Sequence, residues 1–233
     1  VHHLQDIVEI GTLKGEYFMS GRIDDLECAY TTLWGFLQGR GEEEGRGDMW
    51  VMFDNEEVGS ATKQGAASTF LRDTLRRISL ALGKDEEAFQ TTLARSFLVS
   101  ADNAHAIHPD HPEYADRGNC PRMNGGVVIK FNANQRYATD GCSCAVFRAA
   151  CAEAGVPVQL MANRSDLPGG STLGNISNSK VSLNTVDIGL PQLAMHSSYE
   201  TAGAKDMEYM VKAFEEFYKS SISVSEDGSF EIQ

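Results

Sequence analysis

Apolar positions follow two rhythms along this chain. In some segments they recur at three- and four-residue steps, the spacing of one helix face. In others they form short unbroken runs, the pattern of strands covered on both sides. Residues 25–38 belong to the first kind, with Leu26, Ala29, Leu33, Phe36 and Leu37 on the predicted buried face. Residues 66–82, 88–93, 139–154 and 205–220 read as further helices, two of them stopping at Gly83 and Gly155. The last carries a stripe of Met207, Met210, Val211, Phe214, Phe217 and Tyr218. Strands are predicted at 17–20, 49–53, 97–100, 125–131, 156–161, 186–190 and 192–195. The 49–53 run has no charge and is expected to be buried on both faces. Residues 39–45 and 167–177 read as Gly-rich loops, and 221–233 as a weakly ordered tail or an edge strand. Strands alternating with helices predict an α/β fold, with a mixed, mostly parallel central sheet flanked by helices on both faces.

Composition narrows the function. The 233 residues suffice for one large α/β domain, and 42% hydrophobic with 23% charged residues is ordinary for a globular protein. No apolar run approaches the roughly 20 residues that span a bilayer, so no membrane partner is expected. With 33 acidic and 20 basic residues the net charge is −13, which repels phosphate backbones and argues against nucleic acid. The five cysteines include no Cys-x-x-Cys pair, so a reducing cytoplasm is expected. Cys142 and Cys144 read as small buried hydrophobes on a helix rather than ligands.

Position brings in chemistry. Asp24, the Asp54-Asn55-Glu56-Glu57 run, Asp102 and His196 each follow a predicted strand. Sites of open α/β sheets form outside the carboxyl ends of the strands. Acids gathered there would repel one another and raise each other's pKa unless a divalent cation joined them. Three carboxylates with one imidazole suit zinc, manganese or cobalt. Taken singly, the same acids serve equally as helix caps and turn residues, and spacing alone leaves both readings open. The chain has no Gly-x-Ser-x-Gly elbow, no phosphate-binding glycine loop and no His-Glu-x-x-His helix.

Seven stretches together resemble the aspartyl aminopeptidase family of dinuclear zinc exopeptidases. They are Ser20-Gly-Arg-Ile-Asp-Asp-Leu26, Asp54-Asn-Glu-Glu-Val-Gly-Ser60, Ser100-Ala-Asp-Asn-Ala-His-Ala-Ile-His-Pro109, Val128-Ile-Lys130, Gln135-Arg-Tyr-Ala138, Gly169-Gly-Ser-Thr-Leu-Gly174 and Pro191-Gln-Leu-Ala-Met-His-Ser197. The resemblance implies a zinc-exopeptidase-like fold and two divalent metal ions, zinc first, with cobalt or manganese as alternatives. It implies that Asp24 bridges the ions, that Glu57 and His196 complete one site, and that Asp102 belongs to the other. Glu56 matches the general base. His108, His105 and Lys130 match residues beside the substrate, with Lys130 able to pair with an acidic side chain. The loop carrying Gly170, Ser171 and Thr172 matches a pocket wall. A cis peptide at Asp24–Asp25 is implied as well.

The implied activity is removal of N-terminal Asp or Glu from peptides by a homo-oligomeric enzyme. Two departures accompany the likeness. Relatives carry a further metal-binding His well before the bridging Asp, and many have Asn where Asp25 stands. Residues 1–16 are therefore expected to be the end of, or linker from, an inserted oligomerisation domain, and 17–233 the C-terminal part of a catalytic domain. Alternatives are a dinuclear aminopeptidase of other specificity, or a metal-binding fragment incomplete for catalysis.

Overall fold

A computed structural model describes residues 15–41, 45–167, 169–225 and 227–232. Most of the 1–16 segment and the acidic run 42–44 lie outside the described residues. In chain order the elements are β1 (Tyr17–Ser20), α1 (Ile23–Gly39), α2 (Phe70–Ala81), α3 (Glu86–Ala94), β2 (Phe97–Ala101) and β3 (Ala104–His105). They continue with β4 (Val127–Phe131), α4 (Gly141–Glu153), β5 (Val158–Ala162), α5 (Leu173–Asn178), β6 (Asn184–Gly189) and β7 (Pro191–Leu193). The chain closes with β8 (Glu200–Gly203), α6 (Ala204–Lys219), β9 (Ile222–Val224) and β10 (Phe230–Ile232).

One four-stranded ladder runs β2-β6-β4-β5, with β2 parallel to β6, β4 antiparallel to β6 and β5 parallel to β4. A second runs β1-β8-β7-β3. The ladders are joined, because β2 leads into β3 and β6 into β7. Asp102 N–H donates to the Ile188 carbonyl at 3.1 Å and Ala104 N–H to the Leu190 carbonyl at 2.8 Å, which carries the pairing across the joint. This is the mixed α/β sheet expected, in two offset halves.

Side-chain alternation along β4 sorts the layers. Val127 and Ile129 join Val186, Ile188, Phe147, Met210 and Phe214 in the main core, beneath α1, α4 and α6. Val128 packs on the other side with Ala104, Tyr137 and Met161. Lys130 has the parity of Val128, and its ammonium lies 5.6 Å from the Tyr137 ring centre.

Helix α1 buries a different face from the one the pattern predicts. Leu26, Tyr30, Trp34 and Leu37 are exposed, while Cys28, Thr31, Thr32, Gly35 and Gly39 are buried. The reason is close approach to α6: a Cβ on Gly35 would fall 2.3 Å from Phe214 Cβ, and one on Gly39 2.2 Å from the Glu215 carbonyl oxygen. Only small side chains fit there. The buried Thr31 and Thr32 hydroxyls donate back to the Glu27 and Cys28 carbonyls at 2.7 and 2.8 Å, so neither is orphaned.

Other expectations also change. Residues 49–53 form no strand and Met52 is 61% exposed. They have no ladder partner among the described residues and are held by bonds to α1 and α6, Trp50 Nε1–H to Thr32 Oγ1 at 2.9 Å and Tyr218 O–H to the Met49 carbonyl at 3.0 Å. The 167–177 loop contains most of α5. Strands β3 and β8, too short or too polar to show a period, carry no signal in the pattern. Cys144 is buried as expected, but Cys142 is exposed at the first turn of α4; Cys151 is buried as well. The tail forms a small antiparallel hairpin, β9 with β10. Among the described residues, no helix is long and apolar enough to cross a membrane.

Candidate metal centre

Four chain segments converge at one edge of the joined sheets. Asp24 follows β1 through a turn in which Arg22 has φ 61°, and it stands at the irregular start of α1, where the Asp24–Asp25 peptide is cis. Glu56 and Glu57 sit in a tight turn after the 49–53 segment, closed by Gly59 N–H to the Glu56 carbonyl at 2.8 Å and Ser60 N–H to the Asn55 carbonyl at 3.0 Å. Asn55, the turn's pivot, takes a left-handed φ of 61° and ties its side chain to Thr62 at 3.1 Å. Asp102 is the first residue past β2. His196 lies in the turn between β7 and β8 with φ 66°.

These segments bring five ligand-type residues into two overlapping groups. Donor atoms of Asp24, Glu57 and His196 all lie within 4.8 Å of one another, as do those of Asp24, Asp25 and Asp102. His196 Nε2 is 3.0 Å from Asp24 Oδ2 and 3.0 Å from Glu57 Oε2. Asp24 belongs to both groups, the position a shared carboxylate between two cations requires.

The electrostatics point the same way. Burial first, then the charges of Asp102 and Glu57, push the Asp24 carboxyl up to about 9. Burial likewise raises Asp25 well above the usual range, with Asp102 and Asp24 adding. Asp24 Oδ1 and Asp25 Oδ1 are buried without a hydrogen-bond partner. Buried carboxylates crowded in this way are stable only when protonated or when a cation joins them. The donor set, imidazole with carboxylates and two orphaned oxygens, fits divalent zinc. Glu56 lies beside this centre, and burial, followed by Asp102 and Glu57, raises it to about 7.

Not every candidate joins the cluster. Lys130 is 2% exposed; its ammonium donates to the Asn103 carbonyl at 2.7 Å and lies 3.6 Å from Asp102 Oδ2. Burial works against its charge, but Asp102, Tyr137 and Asp187 outweigh it and hold its pKa above the ordinary value. His105 feels the charges of the centre: desolvation, then the positive charges of Lys130 and His196, lower its pKa. His108 accepts from Asp110 N–H at 3.2 Å, with its ring centre 5.3 Å from that of His111.

The glycine loop is held from behind. Thr172 is buried and its hydroxyl donates to Asp187 at 2.8 Å, while Gly170 is exposed and Ser171 half-buried. Asp187 also accepts from Ala138 N–H at 2.5 Å, so one buried carboxylate fixes both the loop and the turn after Tyr137.

Three contributors escaped the sequence reading. Asp25 enters the sequence reading only as a departure from relatives and as part of the implied cis peptide, yet it lies in the second ligand group. Asp187 sits inside an apolar strand run, and an acid embedded there is the signal that could have drawn attention to it. Glu200, four residues after His196, contacts two ligand residues through their backbone and leaves no local pattern.

Comparison with known proteins shows the family. The family described as aminopeptidase I zinc metalloprotease (M18) matches residues 3–218. A probable M18 family aminopeptidase 2 of Clostridium novyi is 47% identical over 206 residues, covering 88% of this chain and 47% of that protein. A probable aspartyl aminopeptidase of Ricinus communis is 40% identical over 220 residues, covering 92% of this chain and 45% of that protein. The crystal structure of prApe1 superposes with a TM-score of 0.84 at 30% identity, covering 93% of this chain and 46% of that one. The S. cerevisiae mApe1 dodecamer superposes with a TM-score of 0.77 at 28% identity, covering 90% of this chain and 47% of that one. The chain thus spans about half the length of the relatives it matches. It belongs to the M18 family of aminopeptidase I zinc metalloproteases.

Proposed function

We propose that this chain carries the metal-binding and proton-transfer groups of an aminopeptidase that removes acidic N-terminal residues from peptides. The observation that carries the reading is the sharing of Asp24 between two ligand groups, with Glu56 alongside. Asp24, Glu57 and His196 would hold one divalent ion, and Asp24 with Asp102 and Asp25 would contribute to a second. Bound there, such ions polarise a carbonyl and lower the pKa of water.

The chain's own residues supply the rest. Glu56, next in sequence to the ligand Glu57, takes the proton of the attacking water on its carboxylate and passes it to the leaving amine. A general base works best with a pKa near ambient pH, and desolvation favours that value for Glu56 while bound cations oppose it. Surplus carboxylate charge in the centre suits the free α-ammonium of a peptide. His105 would line the same space, and the 169–174 loop, braced by Asp187, would form a wall.

Acidic specificity rests on Lys130 and on the name of the Ricinus relative. A second reading, the same chemistry on other N-terminal residues, is favoured by the burial of Lys130, whose ammonium is engaged by Asn103 and Asp102. A panel of aminoacyl amides given to the full-length enzyme separates the two. Fastest cleavage of Asp and Glu derivatives supports the first, and fastest cleavage of neutral ones supports the second. A third reading, a metal-binding fragment incomplete for catalysis, is favoured by Lys130 standing as a competing cation beside Asp102. We also propose a homo-oligomer, supported by the dodecameric neighbour, and a cytoplasmic setting, supported by five free cysteines.

A further inference from the structure

We propose that Glu200 is a positioning residue that locks the backbones of Asp24 and His196 together and thereby sets the affinity of the ion they share. This rests on the metal-centre reading above. Glu200 is the first residue of β8 and is 2% exposed. Its Oε2 accepts from the backbone N–H of Asp24 at 3.0 Å, and its Oε1 accepts from the backbone N–H of His196 at 2.7 Å. One carboxylate therefore joins a segment 176 residues away to one only four residues away.

The placement follows from the sheet. Register pairs Glu200 with Ser20, the last residue of β1, so its side chain stands beside the turn that delivers Asp24. Both clamped positions lie in irregular backbone. Asp24 has φ −78° and ψ 114° inside a nominal helix, and His196 has φ 66°. Neither amide is fixed by a regular helix or ladder bond. No lysine or arginine pairs with Glu200 in the described ion pairs, and burying a carboxylate is costly unless hydrogen bonds offset it. Here the two amides do so, and both belong to residues whose side chains meet at 3.0 Å. An acceptor-only group reads both donors; an amide side chain can read one and must point an N–H at the other. Groups that orient ligands in this way typically change metal affinity by about 10–100-fold when altered.

The test is Glu200→Gln in the full-length protein, with Zn²⁺ titrated in competition with a chromogenic chelator at a temperature where the metal-free variant is folded. The visible spectrum of the Co²⁺-loaded protein is recorded alongside. We expect zinc affinity to fall about 10–100-fold and the cobalt bands to shift. Zinc affinity and cobalt bands equal to wild type would overturn the proposal, even if the variant melts earlier. Should Glu200→Gln be recovered unfolded, Glu200→Asp keeps the charge but is too short to reach both amides, and is judged by the same two readouts. A wild-type protein that binds no zinc would overturn the metal centre itself, whereas tight wild-type binding matched by the variants removes only the role of Glu200.

Discussion

The carbonyl oxygen of Asp102 lies directly over the α-carbon of Gly189, where an added Cβ would come within 1.9 Å of it. The contact sits at the joint between the two ladders, so Gly189 sets how far Asp102 can advance toward Asp24. Gly189→Ala is expected to cost about 1–3 kcal/mol, the usual penalty of overpacking. It should weaken the ion held through Asp102 more than the ion held through His196. Melting curves with zero, one and two equivalents of zinc read both effects.

Glu56 and His196 both act with Glu57 but answer to different measurements. Glu56→Gln in the full-length enzyme should lower turnover about 10²–10⁴-fold and leave bound zinc unchanged. His196→Ala should lose zinc. Elemental analysis with steady-state kinetics separates the two, and a Glu56→Gln enzyme with most of its activity would remove the general-base role.

Metal-free protein should lose stability as pH rises. Asp24 is raised from 3.8 to about 9, so between those values the folded state holds a proton that the unfolded state has released. Its contribution is complete below pH 4 and declines steadily until about 9. Glu56, raised from 4.5 to about 7, adds a decline over its own narrower window. Thermal melts from pH 5 to 8 in chelator should show a falling Tm that saturating zinc flattens. Zinc uptake at pH 7 should release protons, read from the buffer dependence of the binding enthalpy.

On α1, stability should follow smallness rather than hydrophobicity. Gly35→Ala is expected to destabilise by about 1–3 kcal/mol because of the overlap with Phe214, whereas Leu37→Ser on the exposed face should change Tm little. Urea titration of both variants checks the order.

That contrast shows where the sequence was readable. Position along the chain only drew attention to the acids and the histidine that the structure gathers, and their proposed roles came from the motif resemblance. Most helices and the core strands of the main ladder were legible from the apolar pattern. The buried face of α1 was not, since Thr31, Thr32, Gly35 and Gly39 are selected by distance to α6, a quantity no single-segment pattern holds. Glu200 was hidden because its partners are backbone amides and not side chains. His108 was assigned beside the substrate by motif, and its ring lies against that of His111.

The glycine and threonine seam of α1 has one more consequence. Its regular part runs from Leu26 to Gly39, about 20 Å at the usual rise per residue. Because the seam leaves no slack against α6, the helix behaves as a stiff rod clamped along its length, with Asp24 at its tip. An added methyl at Gly39 would press on the Glu215 backbone and tilt that rod. Directed evolution for altered metal preference would then find productive changes at the far end of α1, remote from every ligand.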